Sequence, residues 1–367
     1  MSINKRIEVL DIIRGVSIWM VILVHSQQKF SDLSDFFDIL KFGQMGCQIF
    51  IVLSGFASMM SYRSKTPKEF YLKRYKSIAP GYYGLILLTF IIDMIVLDVF
   101  HSNKRLASNR SPAAVICNIF LLHGLFPFCN NNVVPGGWYV GTIVIFYIVT
   151  PVVFTWMETS KRIRYIPWIV QSSAVCLIFI FYHISKIDSI LNNNSFIYFN
   201  FINQIGVFLL GAKLYFEYEK GIQRNKFDLV IAVMEMLFAV VLFYSNWKYT
   251  FIIIPYIVGL SAYHFIRFAL SAEKKAFVNN KKTCLNILKN YGRCSYYIYL
   301  VHFFFAWIFV EIIQKGIKIA RGGVNLNSNL LYFILIIPIF ILSYFSAIMY
   351  EKICNKIIDR ISKLKNI

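Results

Sequence analysis

Apolar segments of membrane-spanning length recur along nearly the whole of this 367-residue chain. A helix needs roughly 20 predominantly apolar residues to cross the hydrocarbon layer of a bilayer. Eleven segments approach this length, near residues 9–26, 42–62, 80–99, 113–128, 138–157, 166–185, 197–216, 227–245, 251–270, 296–314 and 330–350. Charged residues make up only 15% of the chain, whereas about 25% is usual in soluble proteins. The sequence therefore predicts an all-α, polytopic membrane helical bundle.

Basic residues between the apolar segments predict the orientation of the chain, because Lys and Arg collect in cytoplasmic loops. Five strongly basic stretches lie at 63–76, 161–164, 220–226, 274–293 and 352–365. All five face the cytoplasm only if one apolar segment between residues 77 and 160 does not cross. The weakest is 113–128, which Asn118, His123, Gly124 and Pro127 interrupt, so we expect a re-entrant or interfacial segment there. About ten transmembrane helices remain, with both termini cytoplasmic.

The net charge of +20 bears on the class of partner. A nucleic-acid-binding protein would carry its Lys and Arg on one face of a soluble domain, but here they lie in short loops, which suits anionic lipid headgroups. We therefore expect no nucleic-acid partner, a single transmembrane domain over residues 1–350 and a basic cytoplasmic tail at 351–367.

The first apolar segment ends in VHSQQKF rather than in a small-residue cleavage site, so it is expected to stay in the mature protein.

The seven cysteines are dispersed along the chain. They show no CxxC pair and no other metal-ligand spacing, so neither a metal site nor a disulfide framework is expected. Cys117 and Cys129 could meet outside the membrane.

The first apolar segment, LDIIRGVSIWMVILVH, contains three ionisable residues, Asp11, Arg14 and His25. Arg or Asp at the centre of a membrane helix costs roughly 2.5–3.5 kcal/mol on insertion scales. On a helix, the spacing of Arg14 and His25 places them about 20° apart around the axis and roughly 16 Å apart along it. A shared polar face indicates a protein interior or a wet cavity rather than lipid.

Structural and functional interpretations of these three residues are both open. Asp11 precedes Arg14 by one helical turn, so the two can simply pair, and His25 can be an interfacial imidazole at a helix end. In the functional interpretation, Arg14 lies near the cytoplasmic side and holds a phosphate or polarises a carbonyl. A neutral His25 then takes the proton from an attacking hydroxyl. Only the functional interpretation explains why both groups share one face.

Four further sequence elements accompany the Arg14–His25 pattern. They are QIFIVLSGFASMMSYR, FYLKRYKSIAPGYY, GGWYVGTIVIFYIVTP and YGRCSYYIYLVH. In this order, and over essentially the whole chain, the five elements resemble the acyltransferase-3 family of integral membrane acyltransferases, in particular its polysaccharide O-acetyltransferase-like branch. The chain departs from the family pattern at Ser77, where a second arginine is usual, at Ile143, where many members have glutamate, and at Ile353, where proline is frequent.

The resemblance implies an enzyme that moves an acyl group, most often acetyl, from acyl-CoA to a hydroxyl of a cell-envelope sugar or glycolipid. Such an enzyme would be a multi-pass protein of the bacterial inner membrane, with acetyl-CoA or another acyl-CoA as donor, a carbohydrate or glycolipid acceptor, and no metal. His25 would act as general base or as acyl carrier, together with Arg14 and Asp11.

The resemblance also assigns residues to the donor and to the substrate cavity. Lys73, Arg74 and Lys76, with Arg14, are expected to bind the phosphates of CoA, although a positive-inside anchor would account for the same charges. Four residues are candidates for lining the cavity, namely Trp138, Tyr147, Tyr299 and His302. The alternative for His302 is a buried imidazole that pairs with a tyrosine hydroxyl.

A transporter or flippase of a glycolipid or anionic small molecule is the alternative class. It would use the same intramembrane charges as a pathway, but the inverted repeats and paired broken helices of such proteins are not visible in the sequence. The oligomeric state is left open, with a homodimer as one option.

Overall fold

The computed structural model describes residues 6–30, 32–98, 111–185, 194, 196–276, 283–323 and 326–364. Over these residues the chain is helical and contains no β-strand. The α-helices are α1 (Glu8–Gln27), α2 (Gly46–Tyr62), α3 (Pro67–Asp98), α4 (Pro112–Ile119), α5 (Gly137–Thr159), α6 (Ile166–Ser185), α7 (Phe201–Lys220), α8 (Phe227–Tyr244), α9 (Thr250–Ala276), α10 (Thr283–Arg293), α11 (Ser295–Phe303), α12 (Val310–Ala320) and α13 (Ser328–Leu364). A 3₁₀ segment, Asp35–Met45, leads into α2, and a π-helical turn, Phe304–Phe309, joins α11 to α12.

Nine helical segments within the described ranges are long and apolar enough to cross a membrane. They are Glu8–Gln27, Asp35–Tyr62, Pro67–Ile95, Gly137–Thr159, Ile163–Ile184, Phe227–Tyr244, Thr250–Ala272, Ser295–Ala320 and Ser328–Arg360. Each coincides with a predicted span, which confirms the all-α, polytopic membrane architecture. The remaining predicted span, 197–216, is occupied by α7, whose last two turns carry Lys213, Glu217 and Lys220 and therefore lower its hydropathy.

The segment near 113–128 does not form a spanning helix. Its only α-helix, α4, has 8 residues and is about 12 Å long, far less than the roughly 30 Å hydrocarbon core. The Asn118 side chain donates to the carbonyls of Ala114 (2.8 Å) and Cys129 (3.3 Å), and Leu121 turns the chain with a φ of 59°. The residues that interrupt the apolar run therefore close a compact turn.

Two buried groups of this segment stay uncharged at neutral pH. The Nε2 of His123 lies 2.9 Å from the carbonyl oxygen of Gly137, and burial lowers the pKa of His123 to about 4. Burial and the neighbouring Cys117 thiol raise the pKa of Cys129 to about 11. Cys117 and Cys129 thus meet, as the sequence allowed, and both are free thiols.

The chain divides into two compact units. The first comprises Met1–Cys47, Pro80–Leu85 and Lys281–Ile367, and the second comprises Gln48–Ala79 and Ile86–Asn280. Within the second unit, α2 meets α7 at two glycines. A Cβ at Gly55 would overlap the carbonyl oxygen of Phe208, and a Cβ at Gly211 would overlap that of Val52. The glycines therefore permit contact between the two backbones.

A similar glycine contact joins α1 and α10 within the first unit. A Cβ at Gly15 would overlap the carbonyl oxygen of Leu288, and a Cβ at Gly292 would overlap the carbonyl oxygen of Asp11. Small residues at a helix crossing let the two backbones approach closely. This crossing lies at the end of α1 that carries Asp11 and Arg14.

Candidate active site

In the first unit, three arginine side chains surround the buried carboxylate of Asp11. Its Oδ1 accepts a hydrogen bond from Arg14 Nη1 at 2.8 Å, and its Oδ2 accepts one from Arg6 Nε at 2.5 Å. The Nε of Arg293 lies 3.8 Å from Oδ2. The Asp11–Arg14 pair expected from the spacing is present, but it is part of a larger cluster. Three guanidinium groups around one carboxylate leave an excess of positive charge at this end of α1.

Arg6 and Arg293 were not identified as site residues from the sequence. Arg293 follows Gly292, and the close approach of α10 to α1 at that glycine brings its guanidinium to Asp11. The Gly-Arg dipeptide in YGRCSYYIYLVH is the only signal that could have pointed to it. The side chains of Arg6, Arg14 and Arg293 are 58%, 26% and 41% exposed, so a polar ligand can reach the cluster that they form with Asp11, the arginine cluster.

Cys294 lies beside the arginine cluster and is a possible nucleophile by residue type. Its Sγ is 3.7 Å from Glu351 Oε2. Burial, together with the charge of Glu351, raises the pKa of Cys294 to about 11. The thiol is therefore protonated at neutral pH, and a protonated thiol is a poor nucleophile.

His25 lies in the last turn of α1, at the opposite end of the helix from Asp11. Its Nδ1 is 3.0 Å from Oε1 of Gln28, the residue that caps α1. An amide oxygen only accepts hydrogen bonds, so Nδ1 carries the hydrogen and the lone pair is on Nε2. Because α1 is continuous from Glu8 to Gln27, Arg14 and His25 keep the separation of roughly 16 Å expected for a helix.

The structure places His302 next to His25. The centroids of the two imidazole rings are 5.2 Å apart, and the ring of Phe303 lies 4.3 Å from that of His25. His302 is fully buried, and its Nδ1 lies 2.7 Å from the carbonyl oxygen of Tyr299. Since a carbonyl only accepts, the lone pair of His302 is also on Nε2. The hydrogen-bond partner of His302 is thus the backbone carbonyl of a tyrosine, whereas a tyrosine hydroxyl was the partner considered from the sequence.

The neighbourhood of the two imidazoles contains a lysine and a tryptophan that were not identified from the sequence. The indole of Trp307 lies 6.4 Å from the ring of His25. Lys29 Nζ is 5.4 Å from the indole centroid and 3.5 Å from Glu311 Oε2. Gln314 Nε2 donates to the carbonyl of Lys29 at 3.2 Å. These contacts join the end of α1 to the π-helical turn and α12.

Arg74 belongs to the second unit and is held by α2 and by aromatic rings. Its Nη2 donates to the carbonyl of Ala57 at 2.8 Å, and its guanidinium lies 4.7 Å from the ring of Tyr147. Guanidinium groups bind aromatic faces in this way. Lys73 and Lys76, by contrast, are exposed on α3. The two lysines can therefore meet a soluble anion without breaking an internal contact.

Trp138 is packed among aromatic side chains in the second unit. It is 4% exposed, and its indole stacks on Phe199 with 4.8 Å between centroids. Ile143, at the position where the family resemblance would place a glutamate, is also buried. Neither residue presents a polar group to a cavity, although Trp138 remains a candidate through its ring.

Buried ionisable groups inside apolar helices define the class of protein. The first unit carries a carboxylate with three guanidinium groups at one end of α1 and two imidazoles at the other. With nine candidate spans in the described residues, this is a multi-pass membrane protein with acid–base groups set into its helices.

A comparison with protein-family models identifies the family. The model of the acyltransferase domain of the acyltransferase-3 family matches residues 7–348, nearly the whole chain. The chain belongs to this family and is a membrane acyltransferase. No curated protein and no solved structure matched the chain.

Proposed function

We propose that the protein transfers an acyl group, most often acetyl, from acyl-CoA to a hydroxyl of a cell-envelope sugar or glycolipid at a bacterial inner membrane. The observation that carries the proposal is the arrangement on α1. One end holds an arginine cluster with excess positive charge, and the other end holds His25 with its Nε2 lone pair available.

The arginine cluster supports an anionic donor. Guanidinium groups bind phosphates through paired, charge-assisted hydrogen bonds, and Arg6, Arg14 and Arg293 together carry more charge than Asp11 neutralises. In the proposal, Arg14 and its neighbours bind the phosphates of CoA or the region of the thioester. Phosphate binding by Lys73, Arg74 and Lys76 of the second unit stays a separate prediction from the sequence.

The lone pair on His25 Nε2 supports two routes for the transfer. As a general base, Nε2 takes the proton of the acceptor hydroxyl, the oxygen attacks the thioester carbonyl, and the carbon–sulfur bond breaks. The CoA thiolate leaves and takes the proton from the imidazolium. As a nucleophile, Nε2 attacks the carbonyl first and expels the thiolate, which leaves an acylimidazolium. The acceptor hydroxyl then attacks the acyl carbon, the bond from that carbon to Nε2 breaks, and the hydroxyl proton passes to the CoA thiolate. In both routes Gln28 holds the ring in the required tautomer.

We expect His25→Ala to reduce acyl transfer about 10²- to 10⁴-fold, the usual contribution of a positioned acid–base group. The measurement is transfer of label from radiolabelled acetyl-CoA to an envelope extract by purified protein in lipid. His183→Ala is the matched control, because His183 is an exposed histidine of α6, and it should keep wild-type activity within about twofold.

Two results would contradict the proposal. One is the absence of label transfer by the wild-type protein, which would favour the flippase alternative. The other is transfer that His25→Ala leaves unchanged. Rapid quenching with donor alone separates the two routes, because only the nucleophilic route leaves label on the protein.

A further inference from the structure

Two buried polar atoms beside His25 lack a hydrogen-bond partner within the described part of the chain. They are Nε2 of His302 and Nε1 of Trp307. His302 is fully buried, and its Nδ1 already donates to Tyr299, so its Nε2 is an acceptor. The indole Nε1 is a donor only. Buried polar groups are almost always satisfied, and an acceptor and a donor left open on two neighbours of the same imidazole point to a bound group.

The π-helical turn Phe304–Phe309 brings the side chain of Trp307 toward the side of the helix that carries His302. Trp307 follows His302 by five residues, and in an α-helix residues five apart point about 140° away from each other. Hydrogen bonds in a π-helix join residues five apart, so the turn reduces this angle. The rings of Trp307 and Phe303 are 4.7 Å apart, and both face His25. Such turns occur frequently at functional sites.

The neighbours of Trp307 hold its ring in place. Lys29 lies over the indole and pairs with Glu311, and Gln314 donates to the backbone of Lys29. The indole N–H is therefore held in one position before any ligand binds, which lowers the entropy that binding must offset.

The chemistry of the open atoms calls for a group that both donates and accepts a hydrogen bond, and a hydroxyl of the acceptor is such a group. A carboxylate or phosphate offers His302 no proton, and an ammonium group offers Trp307 no lone pair. A hydroxyl can donate to Nε2 of His302 and accept from Nε1 of Trp307 at once. The hydroxyl that is acylated must instead give its proton to His25, so the open pair suits a second, adjacent hydroxyl.

We propose that His302 and Trp307 bind the hydroxyl next to the one that is acylated, so that the acceptor is a saccharide or other polyol with a vicinal diol. The statement about the acylated hydroxyl rests on the proposed transfer reaction. The binding of the adjacent hydroxyl does not depend on turnover and can be tested separately.

The first experiment measures binding. Wild-type protein in lipid nanodiscs is titrated with hexyl glycosides of several hexoses and with matched deoxy glycosides, and the dissociation constants are obtained from the shift in thermal unfolding. We expect at least one vicinal diol to bind on the order of tenfold tighter than its deoxy counterpart. Trp307→Phe, which removes the indole N–H and keeps an aromatic ring, should lose this preference, and so should His302→Phe.

Trp19→Phe is the matched control. Trp19 is also in the first unit, and its Nε1 is also without a partner among the described residues, but its ring packs on Tyr291 and Phe340 rather than on the imidazoles. This variant should keep the diol preference within about twofold. The inference is overturned if no diol is preferred by the wild-type protein, or if Trp307→Phe keeps the preference.

The second experiment measures turnover and separates the two proposals. Trp307→Phe should raise the acceptor KM on the order of tenfold, whereas Trp19→Phe should leave the acceptor KM within about twofold of the wild-type value. Diol binding without any acyl transfer would contradict the proposed function and leave the diol site standing. Transfer with an unchanged acceptor KM in Trp307→Phe would contradict the diol site alone.

Discussion

At the scale of single residues, Asp11 differs from an ordinary paired carboxylate because three guanidinium groups share its charge. Its side chain has no solvent exposure, whereas the arginines are 26–58% exposed. Removing one partner of a fully buried pair costs about 3–5 kcal/mol, but exposed arginines recover part of this through hydration. The pairs that Asp11 forms with the arginines are therefore expected to stabilise the first unit by less than an ion pair with both partners fully buried would.

We expect Asp11→Asn to lower the free energy of unfolding by about 1–3 kcal/mol, because the three arginines then lose the buried carboxylate that they share. Glu8→Gln is the control, since it makes the same change in charge at a carboxylate that is 51% exposed and 3.1 Å from Lys289. That variant should lose less than about 1 kcal/mol. Unfolding in a detergent titration measures both, and an equal loss in the two variants would contradict the role of the cluster.

At the scale of elements, the crossing of α1 and α10 decides where Arg293 lies. We expect Gly292→Ala to destabilise the protein by about 1–3 kcal/mol, because the added Cβ overlaps the carbonyl of Asp11 and the helices must move apart. Gly316→Ala in α12 meets no atom within 4 Å and should be neutral or stabilising by about 0.5–1 kcal/mol.

The kinetics of the two glycine variants provide a second readout of the same crossing. A shift of α10 moves Arg293, so Gly292→Ala should also raise the KM for acyl-CoA, whereas Gly316→Ala should not. Measurement of unfolding and of donor kinetics on the two proteins tests both effects. A Gly292→Ala variant that is as stable as the wild type would show that the crossing is less tight than described.

The elements also show which parts of the site could be predicted from the sequence. Helical periodicity placed Arg14 and His25 on one helix face, because that relation is local. The contacts of Asp11 with Arg293 and of His25 with His302 join residues far apart in the chain, so no periodicity could reveal them. The π-helical turn was missed for a different reason, since its residues, FFAWIF, have the same hydropathy in an α-helix.

At the scale of the whole molecule, nine predicted spans could be recognised because length and hydropathy suffice to identify them. The span predicted at 197–216, which α7 occupies, stays a prediction, since α7 is not among these nine and the charges in its last turns lower its hydropathy. Lys213 lies 3.6 Å from Glu217, and Arg267 of α9 lies 3.3 Å from the same carboxylate. Such pairing reduces the cost of burying charge, and a hydropathy average does not include it.

The predicted orientation can be measured with the exposed cysteine of α10. Cys284 lies in the basic stretch 274–293 and is exposed, so it should face the cytoplasm. We expect a membrane-impermeant maleimide to label Cys284 in inverted vesicles and not in intact cells, as read by peptide mass spectrometry. The buried Cys47 should be labelled in neither preparation. Labelling of Cys284 in intact cells would reverse the assigned topology.

The π-helical turn also has a consequence for insertions and deletions. A π turn holds one residue more than the α turn it replaces, so deleting any one residue of Phe304–Phe309 would restore α-helical pairing. Because the wider π turn had absorbed the extra residue, the side chains beyond the deletion would keep nearly the same orientation around the axis. The shortened helix would keep its composition and its ability to cross a membrane. A single in-frame codon deletion at Phe304, Phe305 or Ala306 should thus keep Trp307 on the side of the helix that carries His302 and remove only the local geometry of the turn.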